Sequence, residues 1–176
     1  MGILTGIRLL SVHPITFAIV RILGFANIIL NALFLFVTDN WLIHLLQIIT
    51  DLFFYLFVFT GLIWRISRSQ KVTADTVFGS ISGYLLIAVV WSILFQLIEF
   101  LVPGSFNFLD DREVHSALFF YFAQITIASV GYGEITPATP LARSVTALLG
   151  MVGQLYLTVL VAIIIGIYLS HSQRND

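Results

Sequence analysis

Four stretches of this chain, 14–37, 41–64, 77–102 and 141–169, are predominantly apolar over more than twenty residues each. A helix needs about 20 mainly apolar residues to cross a bilayer, so each stretch is long enough to span one. Composition agrees. Of 176 residues, 59% are hydrophobic and only 10% are charged, against about 25% charged in an ordinary soluble domain. A chain this short cannot hide so much apolar surface in one soluble core. Lipid is therefore the solvent for most of it. A fifth apolar stretch, 116–128, is too short to span. It reads as re-entrant, a conformation tolerated only where protein or water covers the backbone.

The basic residues of the short loops set the orientation. Arg8 precedes the first span, Arg65, Arg68 and Lys71 separate the second from the third, and Arg174 follows the fourth. The link between the first two spans carries Asp39 and no base, and between the last two Arg112 and Arg143 lie among a surplus of acids. Both termini therefore read as cytoplasmic, and the short fifth stretch enters from the outer side. A formal net charge of −1 gives no electrostatic case for nucleic acid. With no cysteine there is no disulfide, thiolate metal site or cysteine nucleophile. No cleavable signal peptide is read, because the first apolar run is too long and lacks a small-residue cleavage site. Residues 2–12 are expected to form an interfacial helix, and the stretch after 169 is too short for a folded regulatory domain.

Between the short stretch and the fourth span stands Ser129-Val130-Gly131-Tyr132-Gly133. An ion enters a pore only if protein oxygens replace its water shell, and a ring of inward-pointing backbone carbonyls can do so. In an ordinary strand successive carbonyls alternate in direction. Alternating right- and left-handed dihedrals turn them to one side. The left-handed region costs an L-residue roughly 1–2 kcal/mol but costs glycine little, so glycine at alternate positions meets the need, as Gly131 and Gly133 do. The preceding stretch reads as a supporting helix that Asp110 and Glu113, in D-x-x-E spacing, would cap. Its carboxyl end, near Ala128, would favour a cation through the helix dipole.

The segment 126–137, TIASVGYGEITP, resembles the pore loop of the potassium channel superfamily, whose commoner form reads T-x-T-T-V-G-Y-G-D. The resemblance extends over about 73–169, and TADTVFGSISGYLLIAVVWSILFQLIEFLVPGSF looks like the outer helix of small bacterial members. It implies that the carbonyls of Ser129, Val130, Gly131 and Tyr132, with the Ser129 hydroxyl, line successive K+ sites, and that Gly133 permits the outer turn. Glu134 stands where the family usually has Asp, and Tyr121 and Phe122 where many members carry two tryptophans. A hydrogen bond from Tyr121 to Glu134 would brace the filter, with Thr126 and Glu99 as further support. Arg143 matches a basic residue that often opens the inner helix. Gly153 falls at the family's hinge spacing, with Gly150 as its rival. Ser129 and Ala128 replace threonines. Serine keeps the ligand hydroxyl but loses a packed methyl, which bears on rigidity and selectivity.

Several features have plainer readings. Gly150 and Gly153 serve equally well as close-packing sites between membrane helices. Arg65, Arg68 and Lys71 recur at every third position, as voltage-sensor charges do, yet they lie beyond the apolar stretch, where the positive-inside bias accounts for them. Two carboxylates, Asp51 and Glu99, lie within spans, where charge is costly and needs a partner. Glu99 is expected to bind backbone behind the filter, and Arg21, Asn27 and Asn31 are the candidate partners of Asp51. The histidines, His13, His44, His115 and His171, could in principle ligate haem in a four-helix electron carrier, but all lie at span boundaries, where histidine is ordinary.

The expectation is an all-α membrane protein with four transmembrane helices, one re-entrant pore helix and a selectivity filter per chain. Residues 1–72 would hold the interfacial segment and two peripheral spans, and residues 73–176 the pore domain. The resemblance implies a homotetramer in the lipid bilayer, of the kind found in a bacterial plasma membrane. It would conduct K+ without enzyme chemistry or an organic cofactor. A weakly selective cation channel is the nearer alternative.

Overall fold

A computed structural model describes residues 21–22, 24–29, 31–32, 40–67, 74–108 and 116–172, with backbone alone at 74–75, 164 and 166–172. The expected interfacial helix 2–12, the Asp110–Glu113 cap and the basic residues Arg8, Arg68, Lys71, Arg112 and Arg174 lie outside the described residues. So do His13, Asp39 and His115. The described elements are α1 (Trp41–Ser67), α2 (Ala74–Leu101), β1 (Phe106–Phe108), α3 (Ser116–Ile127), β2 (Ile135–Pro137) and α4 (Pro140–Ser172). Those described between 21 and 32 are also helical. Among the described residues three helical segments are long and apolar enough to cross a membrane: Trp41–Ser67, Thr76–Leu101 and Pro140–Ile163. The 12-residue α3 is not.

The chain divides into two compact units, one ending at Gly61 and the other starting at Leu62. The division thus falls inside α1. The physical reason is that Leu62, Ile63 and Ile66, the last turns of α1, lie beside Gly79 and Gly83 of α2.

In the first unit Asn40 caps α1, its side-chain oxygen accepting from the Leu42 amide at 3.0 Å. Asp51 accepts from Asn27 and, at 3.5 Å, from Asn31. Gln47 joins the same network by donating to Asn31 at 2.8 Å. Two of the three candidate partners of Asp51 are thus in place.

In the second unit α2 is the central helix, with 44% of its spanning window buried against 6% for α1 and 11% for α4. Ile87, Ala88, Val90, Ile93, Phe95 and Ile98 form its buried face. Its end is sharply specified. Ser105 N–H donates to Val102 O at 3.2 Å, closing a turn with Pro103 second and Gly104 third at φ +82. That is the type II arrangement, in which proline presets one dihedral and glycine accepts the positive one. Glu99 then binds the amides of Gly104 at 2.7 Å and Phe106 at 3.0 Å. Its partner is therefore the turn after its own helix rather than the backbone behind the filter.

A two-stranded antiparallel ribbon follows, pairing Phe106 with Pro137, Asn107 with Thr136 and Phe108 with Ile135. The all-α expectation did not include it. It ties the chain after α2 to the chain before α4. Ala138 N–H extends the tie to Ser105 O at 2.8 Å. Thr139 caps α4 by accepting from the Ala142 amide at 3.3 Å, with Pro140 at the first helical position, where no amide is needed. Behind the ribbon Phe95, Phe106, Phe119 and Phe122 are nearly fully buried. Their rings meet edge-on or tilted, with Phe95–Phe122 centroids at 5.1 Å and Phe106–Phe119 at 5.6 Å. Such pairs contribute about 0.5–1.5 kcal/mol each beyond burial. They clamp α3 against α2.

Replacing Glu99 with alanine leaves the Gly104 and Phe106 amides without their carboxylate. A bond to a charged group is worth about 1.5–3 kcal/mol, so Glu99→Ala should lower the thermal midpoint of the purified protein by several degrees. An unchanged midpoint would show that the carboxylate does not hold the turn.

Candidate functional site

The end of α3 builds the site. Val130 N–H donates to Ile125 O at 2.9 Å and Ser129 N–H to Thr126 O at 3.0 Å. This pair of bonds is the Schellman pattern that closes many helices, and it requires a left-handed residue at the position Ser129 occupies. Ser129 has φ +58 and is the one non-glycine with positive φ among the described residues. Glycine is usual there, and the serine's strain of roughly 1–2 kcal/mol is offset by the two bonds it enables.

The left-handed pattern then continues. Gly131 has φ +53 and Gly133 φ +92, so positive dihedrals fall at 129, 131 and 133, with Val130 and Tyr132 between. The glycines were expected to carry this alternation; the helix cap starts it one step earlier. Gly131 N–H also reaches Ile125 O, at 3.2 Å. The amides of Ser129, Val130 and Gly131 are therefore all spent on the carbonyl end of α3. Among the described residues no backbone donor meets the carbonyls of 129–133. The stretch is exposed throughout, with Val130 at 51% and Tyr132 at 73%.

Behind this stretch Tyr121 is hydrogen-bonded to Glu134, and the neighbouring carboxylate pushes the phenol pKa up to about 12. One carboxylate oxygen of Glu134, Oε1, is buried and has no donor within the described residues. Arg143 Nε donates to Pro137 O at 3.2 Å, joining the start of α4 to the ribbon.

Residues 84–170 match the model of a family described as ion channel. The chain belongs to the pore-loop ion channels. No curated protein and no solved structure matches it.

Both long helices of the channel domain grip the base of the exposed stretch. From α2, the Tyr84 hydroxyl donates to Ile127 O at 3.0 Å. From α4, Gly153 lies so close that a Cβ there would stand 2.8 Å from the same carbonyl oxygen. Gly150 has nothing within 4 Å of such an atom. The structure thus gives Gly153 a packing role, whereas Gly150 faces open space. Two further bonds strap α2 to α4, Trp91 Nε1 to Val145 O at 3.2 Å and the Tyr156 hydroxyl to Ser80 O at 2.7 Å. Gly83 leaves the room for that hydroxyl.

Sequence reasoning missed Gln154, whose Nε2 donates to the Ser129 hydroxyl at 2.8 Å. It lines an open groove with Ser129, Ala147, Gly150, Met151 and Leu155. The available signal was its place next to Gly153, a small residue already read as a close-packing site. His44 lies on α1, and no group of three or more His, Cys, Asp or Glu among the described residues could hold a metal ion.

Gly153→Ala should force α3 and α4 apart and cost about 1–3 kcal/mol, as overpacking does. Gly150→Ala should leave stability unchanged or slightly improved, since alanine is the better helix former. Equal melting temperatures for the two variants would contradict the close approach at Gly153. For Tyr121, the raised phenol pKa means that the protonated, hydrogen-bonded form persists above the ordinary phenol pKa of about 10. Its contribution fades only as pH rises through about 12. In a tyrosinate absorbance titration, wild type minus Tyr121→Phe should show a transition near 12; one near 10 would mean that the bond to Glu134 is absent.

Proposed function

We propose that the chain is a subunit of a potassium-selective channel in which four copies surround one pore. Ser129, Val130, Gly131, Tyr132 and Gly133 would form its filter. The supporting observation is the alternation of left-handed dihedrals at 129, 131 and 133, together with amides spent on the pore-helix end. Carbonyls free of backbone donors are what a dehydrated cation needs. The carbonyl end of α3 adds partial negative charge at the same place.

One such strand cannot enclose an ion, and the potassium channels that the pore loop resembles close their filter with four, which makes the assembly a homotetramer. The exposure of Tyr132 and Val130, and of Met151 (58%) and Leu155 (63%) on α4, agrees with faces that neighbouring copies cover. In this reading α2 and α4 are the outer and inner helices and α3 the pore helix, with Tyr121, Thr126 and Glu134 supporting the filter directly. Glu99 supports it through the turn and ribbon. The protein would lie in a bacterial plasma membrane with both termini cytoplasmic, consistent with Arg65 in the last turn of α1. K+ is the permeant ion, and flow is passive.

The test is ion flux through the purified protein in liposomes, with K+ and Na+ gradients compared and Ba2+ as blocker. Potassium flux well above sodium flux, lost with Ba2+ and lost in Gly131→Ala, is the expected result. Comparable Na+ and K+ fluxes would replace this reading with a weakly selective cation channel. Full flux in Gly131→Ala would remove the filter from this segment.

A further inference from the structure

We infer that Gln154 is the positioning residue for the innermost cation site, because it orients the Ser129 hydroxyl; the inference rests on the channel reading above. Ser129 ends its side chain in a bare hydroxymethyl group. Such a group has three staggered wells, and nothing in serine itself chooses among them. A threonine would place its hydroxyl by packing the adjacent methyl. Here the Gln154 amide does so instead, with its Nε2 at 2.8 Å from Ser129 Oγ.

The chemistry leaves the ligand intact. A hydroxyl offers two acceptor lone pairs and one proton. Gln154 occupies one lone pair and leaves the other for a cation at the foot of the filter. The backbone on both sides is already held. Ser129 N–H is bonded to Thr126 O, and Gly153, next to Gln154, is in close packing with Ile127. The amide is therefore delivered from a fixed point on α4 to a fixed point on the filter, and the side-chain rotor is the one freedom left for it to remove. Removing that freedom before the ion arrives strengthens binding, as preorganisation does generally.

The experiment is a mutant cycle read by Ba2+ inhibition of K+ flux in liposomes, with Ba2+ binding to the solubilised full chain measured by calorimetry. Gln154→Leu should weaken Ba2+ binding by about 3-fold or more, the population factor for freeing one three-well rotor. The same change should do nothing in a Ser129→Ala background, where there is no hydroxyl to position. It should also do little in Ser129→Thr, where the methyl takes over the positioning. A Gln154→Leu effect of equal size in all three backgrounds would overturn the inference, because the residue would then act on the cavity rather than through Ser129. Unchanged or tighter Ba2+ binding in the single variant would overturn it too. In both cases the wild type still conducts K+, so the channel reading stands. A wild type that neither conducts K+ nor binds Ba2+ would overturn both.

Discussion

The carbonyl of Ile125 receives the amides of both Val130 and Gly131, and the exposed stretch depends on that convergence. A carbonyl ring needs oxygens free of donors, yet each residue also carries an amide that must be satisfied when buried. A sheet would satisfy the amides by pairing the carbonyls as well. The end of a helix solves the problem differently, because its last carbonyls lack intrahelical partners and need donors. Here α3 has unused acceptors and the next residues have unused donors. Joining them leaves the carbonyls of 129–133 as the surplus.

That junction works only if α3 is rigidly placed, and the rest of the domain serves this end. Phe119 and Phe122 of α3 interlock with Phe95 of α2 and Phe106 of the ribbon. The ribbon is aimed by Glu99, which fixes the Gly104 turn that leads into it. Tyr121 reaches Glu134 on the far side of the exposed stretch, so the strand is fastened at both ends. A helix of 12 residues is marginal by itself, and in this position its stability comes from these contacts.

The large features were legible because they rest on length and on glycine chemistry. Apolar runs of more than twenty residues located α1, α2 and α4 to within a few residues, since a bilayer imposes a minimum length. Gly131 and Gly133 declared the left-handed backbone because few other residues accept it. The ribbon was not legible. Strands of three residues have no readable period, and Phe106-Asn107-Phe108 pairs with a segment some thirty residues away. The partner of Glu99 was misplaced for a related reason: depth in a span shows that a carboxylate needs a donor, but the donors lie past a turn whose geometry depends on Pro103 and Gly104 acting together. Ser129 was read for its carbonyl and hydroxyl, and its left-handed helix-cap role was hidden because a cap position normally announces itself with glycine. Gln154 was hidden by its neighbour, since a small residue at 153 signals close approach without saying which side chain exploits it.

The contrast between the two glycines of α4 bears on how such a helix can move. At Gly153 the helix lies against the Ile127 carbonyl, which Tyr84 also holds from α2. Any bend there must carry the base of the exposed stretch with it or break that packing. At Gly150 a Cβ would meet nothing within 4 Å, and glycine already loosens a helix interior by about 0.5–1 kcal/mol relative to alanine. A bend of α4 at 150 therefore disturbs fewer contacts than a bend at 153. Gln154 lies one turn beyond Gly150 and is bonded to Ser129, so it acts as a tether between α4 and the exposed stretch. Movement at 153 and orientation of the Ser129 hydroxyl cannot be independent, because adjacent residues of one rigid turn fasten both.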